Sequence, residues 1–236
     1  MNKNLLYILT LPFFIAGCST KCIEDLGIQS NRAYTVKPFN EIKLDGPIKL
    51  VLLQDSSFRI NVQADSAVIG SVKAEVRGQQ LELKLDANSY CGSDSIVVSA
   101  GIGALKKIKA DGASNISTSA LINVEELKME LSGATALKMQ MNAAKLITTT
   151  DGEANLELTG QAGVHEVKSK GSIQLNAFDF VTGTSDLNLE GVAKLQVNAL
   201  NELKIKSTGS AGISYKGSPK KITEKNSGTY KLDKVN

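Results

Sequence analysis

The chain has 236 residues, 42% hydrophobic and 22% charged side chains, and a formal net charge of +3. So near a balance gives no argument for a nucleic-acid partner, and after the first residues no apolar run approaches the roughly 20 needed to span a bilayer. One histidine, three cysteines and no tryptophan leave little material for a catalytic triad, a histidine metal cluster or a flat aromatic sugar platform.

The chain opens with Met1-Asn2-Lys3-Asn4, a short basic start, followed by an apolar stretch from Leu5 to Ile15 interrupted by Pro12. That core is too short to cross a membrane and has the usual size of a signal-peptide core. It ends in Ile15-Ala16-Gly17-Cys18, which resembles the lipobox of bacterial lipoproteins. The resemblance implies cleavage before Cys18 and a sulfur carrying diacylglycerol. The new amino terminus would be acylated with a fatty acid such as palmitate. The competing reading is an ordinary secretory leader with a chance cysteine. Without residues 1–17 the balance becomes 26 basic against 24 acidic side chains, because only Lys3 is lost from the 27 and 24 of the full chain. Residues 18–34 read as a linker. Cys22 and Cys91 are the cysteines left beyond Cys18, and outside the cytoplasm they are a candidate disulfide; two free thiols are the alternative.

Residues 35–236 read as one domain. Glu41 to Asp45, Ile48 to Gln54, Phe58 to Ala64, Val72 to Arg77 and Leu81 to Leu85 alternate as strands, with Arg77-Gly78-Gln79 as a tight hairpin turn. From there a repeat takes over. Gly112, Gly133, Gly152, Gly171, Gly191, Gly209 and Gly228 follow one another at steps of 21, 19, 19, 20, 18 and 19 residues. Four positions after each stands Ile116, Leu137, Leu156, Leu175, Leu195, Ile213 or Leu232. Four before, the site is apolar except at Thr148 and Glu224. Asp45-Gly46, with Leu50 four residues on, fits the same rule.

A fixed period of about 20 residues is the signature of a solenoid, in which each repeat buries its apolar side only by stacking on the next. Within a repeat the spacing is two: Leu127-x-Met129-x-Leu131 runs into Ser132-Gly133, then Leu137-x-Met139-x-Met141 follows. Lys128, Glu130, Lys138, Glu157, Lys194 and Lys204 fill the intervening places, as an outward strand face requires. A leucine-rich repeat would need Asn or Cys after its L-x-L segment, and a left-handed helix would need hexapeptides. Neither pattern is present, so the expectation is an all-β, right-handed parallel β-helix. Its caps would be the N-terminal β-hairpins and the tail from Lys220 to Asn236.

The opening Phe39-Asn40-Glu41-Ile42-x-Leu44-x-Gly46, the hairpin Val76-x-Gly78-x-x-Leu81, coils such as Ser132-Gly133-Ala134-Thr135-Ala136-Leu137, and the closing Gly217-Ser218-Pro219 with Ser227-Gly228 are similar to one known family. They resemble the head GIN domain family, labelled putative auto-transporter adhesin, of Gram-negative envelope proteins. The likeness covers roughly residues 35 to 235. It implies a parallel β-helix on a surface or periplasmic lipoprotein. The turns Lys170-Gly171-Ser172-Ile173 and Glu190-Gly191-Val192-Ala193 depart from the family's common S-G-A-S.

The residues themselves point away from catalysis. Arg32, Arg59 and Arg77 are the only arginines, and none lies in the regular coils, where a polysaccharide lyase would place its base. Asp151, Glu153 and Glu190 fall on nearby coils and would serve the rival reading, a polysaccharide-active lyase or hydrolase using paired carboxylates. His165 reads as a coil residue near a corner. Phe178 and Phe180 flank Asp179 where the alternation is interrupted, which marks a contact loop or a packed corner. No metal or cofactor is expected. The expected function is a non-enzymatic adhesion, binding or structural module of the cell envelope. It would be held by lipid, in the outer membrane, with a glycan or a surface protein as partner.

Overall fold

The computed structural model describes residues 22–86 and 90–235. The leader 1–17 and the candidate lipidation site Cys18 lie outside the described residues. The fold is all-β. Its strands are β1 (Gln29–Thr35), β2 (Glu41–Asp45), β3 (Ile48–Gln54), β4 (Arg59–Asp65), β5 (Val72–Arg77), β6 (Gln80–Leu85), β7 (Ile96–Ile102), β8 (Lys107–Thr118), β9 (Ile122–Lys216) and β10 (Lys221–Lys234). One 3-10 turn, Ile69–Ser71, is the only helical element among the described residues.

Register follows the glycines. β8 pairs parallel with the start of β9 so that Ile108 faces Met129, Gly112 faces Gly133 and Ile116 faces Leu137. At the other end β10 pairs parallel with β9, with Gly228 on Gly209 and Leu232 on Ile213. Between these limits β9 runs as 95 residues of continuous strand, and each repeat glycine lies against the backbone of the one before it. The alternation that the sequence displays is the alternation of burial: Leu156 and Leu195 are buried while Lys138 and Lys194 are exposed. Because the side-chain period is two, a slip of one residue would turn that whole column to water.

The repeat extends into the N-terminal section. Leu44 faces Ala110 and Asp45 faces Asp111 across β2 and β8, and Leu50 of β3 faces Ile116. Beyond this layer the expected uniform parallel stacking gives way. β5 and β6 form an antiparallel hairpin with Arg77 opposite Gln80. β4 lies antiparallel to both β7 and β1. The single ten-stranded sheet is therefore mixed and curled around its core. For the β5–β6 hairpin the reason is chain length: a turn as short as Gly78-Gln79 can only return the chain antiparallel, whereas a parallel neighbour needs a crossover. Gln29 to Tyr34, expected as linker, are most of β1 and close this antiparallel edge.

The far end is closed chemically. The inward positions Leu203, Ile205 and Ala211 are matched in β10 by Ile222, Glu224 and Tyr230, so Glu224 departs from the apolar rule because it belongs to the last layer. A terminal repeat with polar faces keeps the column soluble.

Gly171 shows why the ladder needs glycine. Its φ is +96°, and a Cβ there would collide with the Gly152 backbone. We expect Gly171→Ala to cost at least about 2 kcal/mol from left-handed strain and this clash. Gly212→Ala, with open space around it, should stay within about 0.5 kcal/mol. Leu195→Asp should cost several kcal/mol, on the order of other buried unpaired charges. Urea melts of the three variants check the register.

Candidate functional site

The structure disperses most of the residues singled out for chemistry. Asp151, Glu153 and Glu190 are exposed on β9, and Glu190 lies 3.9 Å from Lys170 in an open surface pair. They take no part in the tight acidic cluster found among the described residues, which is Asp25, Asp65 and Asp94. Phe178 and Phe180 do not form a contact loop. They sit in unbroken strand, with Phe180 in the core and Phe178 half-buried under Lys216, whose Nζ stands 4.8 Å from the ring centroid. The alternation continues through Ala177, which is buried like Phe180 at the next corner.

His165 is buried. Thr148 Oγ1 lies 3.1 Å from its Nε2, and the ring meets Phe180 edge-on at 5.6 Å. With no acid in contact, burial alone pulls its pKa down to about 4. It belongs to a polar seam inside the column that also contains Thr150 bonded to Ser169 and Thr182 bonded to Ser185. Thr150 and Ser169 satisfy one another across neighbouring repeats, and Thr182 and Ser185 within one.

Two features escaped sequence reasoning. The first is a groove at the second corner of the repeats, about 530 Å³, lined by Asn142, Ala143, Ala144, Ala162, Gly163 and Gly183. It continues into a second hollow of about 530 Å³ that shares Asn123, Val124 and Ala144. The hollow exists because successive repeats place small residues at this corner: Gly163 stacks on the Ala144 carbonyl and Gly183 on the Gly163 carbonyl. Amides line the groove, and Asn142 Nδ2 donates to Asn123 Oδ1 at 3.1 Å. The recurrence of Ala144, Gly163 and Gly183 at the repeat interval was the available signal. A further hollow of about 410 Å³ beside the glycine ladder is lined by Ala113, Ala134, Ala136, Glu153 and Asn155.

The second feature is a carboxylate clasp at the N-terminal end, beside the cysteine pair that the sequence did offer as a candidate disulfide. Cys22 and Cys91 are joined as a disulfide, with Cα atoms 5.7 Å apart. Asp25 accepts from the Tyr90 hydroxyl and from the backbone N–H groups of Ser93 and Asp94. Buried Asp65 accepts from Ile28 N–H at 3.0 Å and Ala67 N–H at 2.8 Å. The Tyr90 hydroxyl, then the Asp94 amide, holds Asp25 below the usual carboxylate range, and the Ala67 amide does most for Asp65. Desolvation, with the Asp25 hydrogen bond second, pushes Tyr90 well above its ordinary value. With donors already on these oxygens, the cluster works as a clasp for residues 22–28 and leaves little room for a cation.

The family described as putative auto-transporter adhesin, head GIN domain, matches residues 38–219. The chain belongs to this family. Its head GIN domain is similar to solved structures of low sequence identity. A putative adhesin from Bacteroides fragilis NCTC 9343 is 20% identical, covers 90% of this chain and 100% of its own, and has a TM-score of 0.78. A putative adhesin from Parabacteroides merdae ATCC 43184 is 20% identical over 91% and 99% of the two chains, TM-score 0.68. A protein named as a putative lipid binding protein from Parabacteroides distasonis ATCC 8503 is 19% identical over 92% and 100%, TM-score 0.65. At such identities the likeness concerns the fold. No curated protein matches the chain in sequence.

The buried imidazole makes the head GIN domain acid-sensitive. His165 is neutral when folded, with a pKa of about 4 against an ordinary 6.5, so the unfolded chain binds the extra proton first. The stability it protects is complete above about pH 6.5 and falls as pH drops toward 4, by about 2–3 kcal/mol at one pKa unit per 1.36 kcal/mol. His165→Gln should flatten this part of the profile, measured as urea midpoints between those pH values. Asp25 and Asp65 act lower: their contribution is present above the ordinary carboxylate range and lost as pH falls through their depressed values.

Proposed function

We propose that this protein is a lipid-anchored, non-enzymatic adhesion or binding module of the cell envelope. In this reading residues 1–17 are a lipoprotein signal peptide and Cys18 carries the lipid. Residues 35–236 form one domain, in which the repeats from Lys107 onward wind as a right-handed parallel β-helix capped by the mixed N-terminal strands. The parallel in-register pairing of Gly112 with Gly133 and Gly209 with Gly228 supports the β-helix part of the reading. Family membership supports the adhesive part, and the leader motif supports the anchor and an outer-membrane location.

The observation that carries the binding role is the corner groove. It crosses successive repeats, is open to solvent, and sets amides beside a floor of Ala and Gly bordered by Val124, Val181 and Leu200, with Lys106, Glu125, Glu126 and Lys145 in the adjoining hollow. Small-molecule sites are enclosed and mostly apolar with a few convergent polar groups. An open trough edged by Asn123, Asn142 and Gln161 suits a linear polar chain, and a glycan is the partner of choice over a protein surface.

A glycan and matrix-protein array on the intact protein tests this directly. A glycan should bind, and Ala144→Tyr, which fills the trough from an exposed position, should weaken it about tenfold or more, a loss of roughly 1.4 kcal/mol. Lys194→Ala should leave it unchanged. Binding untouched by Ala144→Tyr would remove the groove from the mechanism. Turnover of an acidic polysaccharide that vanishes when Asp151, Glu153 or Glu190 is neutralised would overturn the non-enzymatic reading. For the anchor, Cys18→Ala should release the protein from membranes or leave it uncut, and unchanged partition with normal processing would refute the lipid.

A further inference from the structure

Among the exposed large apolar side chains, Leu26 at 67% and Ile28 at 59% are, with Val192 at 59%, the most open to solvent. They flank Gly27, whose φ of +74° turns the chain. Nothing about this segment is loosely held. The Cys22–Cys91 bond ties its start, and Cys91 N–H donates to the Ile23 carbonyl at 3.0 Å. Asp25 clasps the Tyr90–Asp94 loop, Ile28 N–H donates to Asp65, and Ser66 N–H donates to the Ile28 carbonyl at 2.8 Å. A web of polar contacts therefore fixes the backbone of residues 22–28, with Ile23 packed against the core and Leu26 and Ile28 left in water.

The position in the chain says what meets them. If Cys18 carries the lipid, as the proposed function holds, only three residues, Ser19 to Lys21, separate the anchor from Cys22, a span of four Cα steps. At most about 14 Å of chain then lies between the bilayer surface and the clasp. We infer that Leu26 and Ile28 form a membrane-contacting foot, seated in the headgroup layer of the bilayer that holds the anchor. This inference rests on the lipoprotein reading and deepens it. The charges of the clasp beside them are acidic, with Glu24 exposed and Asp25 and Asp94 part-exposed, and the one basic residue of the tether, Lys21, only offsets part of these, so the contact is chiefly apolar and draws little from anionic lipid. A foot at one end would stand the stacked repeats away from the membrane and keep the corner groove free.

The chain has no tryptophan, so Leu26→Trp introduces a single reporter at an exposed place that tolerates it, and Val192→Trp is an equally exposed control on β9. Both variants, as processed full-length lipoprotein, are reconstituted into phosphatidylcholine vesicles with and without brominated acyl chains. The foot predicts a blue-shifted emission and bromine quenching for Leu26→Trp, neither for Val192→Trp, and no change on adding phosphatidylglycerol or salt. Protein that floats with the vesicles yet shows equal, weak quenching at both positions would sink the foot and leave the anchor standing. Quenching that appears only with phosphatidylglycerol and vanishes in salt would replace it with an electrostatic contact. Protein that fails to float would remove both the anchor and the foot.

Discussion

Everything in this molecule depends on the contact of one repeat's glycine turn with the turn below it. Strand ladders fix the separation of neighbouring layers at about 4.8 Å, and at the turn that separation leaves no room for a side chain. Gly171 rides on Gly152, Gly191 on Gly171 and Gly209 on Gly191, each in a backbone conformation that other residues rarely adopt. Once the turns are locked in line, the strand on either side has no freedom of register, and the positions two and four residues from each glycine must point inward. The core is a consequence of that lock. Ile116, Leu137, Leu156, Leu175, Leu195 and Ile213 form one of its rows, each buried.

A core built in layers can tolerate a polar layer only if each polar group finds its partner in its own layer or the next. That condition explains the inward Thr150 and Ser169, and the inward Thr148 facing His165. These groups would each lose a water contact on burial, and a neighbour one repeat away restores it. The condition is not met everywhere: the buried hydroxyls of Ser114 and Thr135 have no partner, and nothing in the structure explains them. Lysines on the outer face pair with acids on adjacent layers, as Lys138 does with Glu157 at 2.8 Å and Lys145 with Glu166 at 2.7 Å. Exposed pairs of this sort add little stability, so the column, not its charged surface, holds the stack.

How far the sequence could be read follows from the same physics. The repeat was legible because stacking imposes one rule on every layer, so Gly133 to Leu137 and Gly209 to Ile213 carry the same pattern although their other residues differ. The strands Glu41–Asp45 and Ile48–Gln54 were legible because they join that column. The antiparallel run of β1, β4 and β7 was not, since its pairing is set by chain reversals whose strands alternate in the same way whichever direction they run. The clasp was invisible for a different reason. Asp25, Asp65, Tyr90 and Asp94 come together from three separate segments, and no spacing in a single sequence records that meeting. At Phe178 and Phe180 the interruption was legible but left a contact loop and a packed corner open, and the structure has the corner, with one ring buried and the other half-buried. The groove lay between these cases: Ala144, Gly163 and Gly183 share a phase, but small residues signal a hollow only when the layers above and below are known.

The two ends of the stack face unlike problems, and the chain solves them differently. At the N-terminal end the antiparallel hairpin β5–β6 and the β1–β4 pair take up backbone groups that a bare parallel layer would leave open. At the C-terminal end β10 has a partner on one side only, so fourteen residues of strand present an edge. Such an edge invites another strand, and exposed lysines discourage it; Lys221, Lys225, Lys231 and Lys234 are all exposed along this one. With the clasp at the first end and a guarded edge at the second, the sides are the broad surfaces of the stack. On the sides the repeat works against a deep pocket, because each layer projects its side chains at the same height as the last. Only where several successive layers carry small residues at one corner does the surface sink, and the trough so formed must run along the stack. The shape of any ligand it holds is therefore linear, for the same reason that the core is a column.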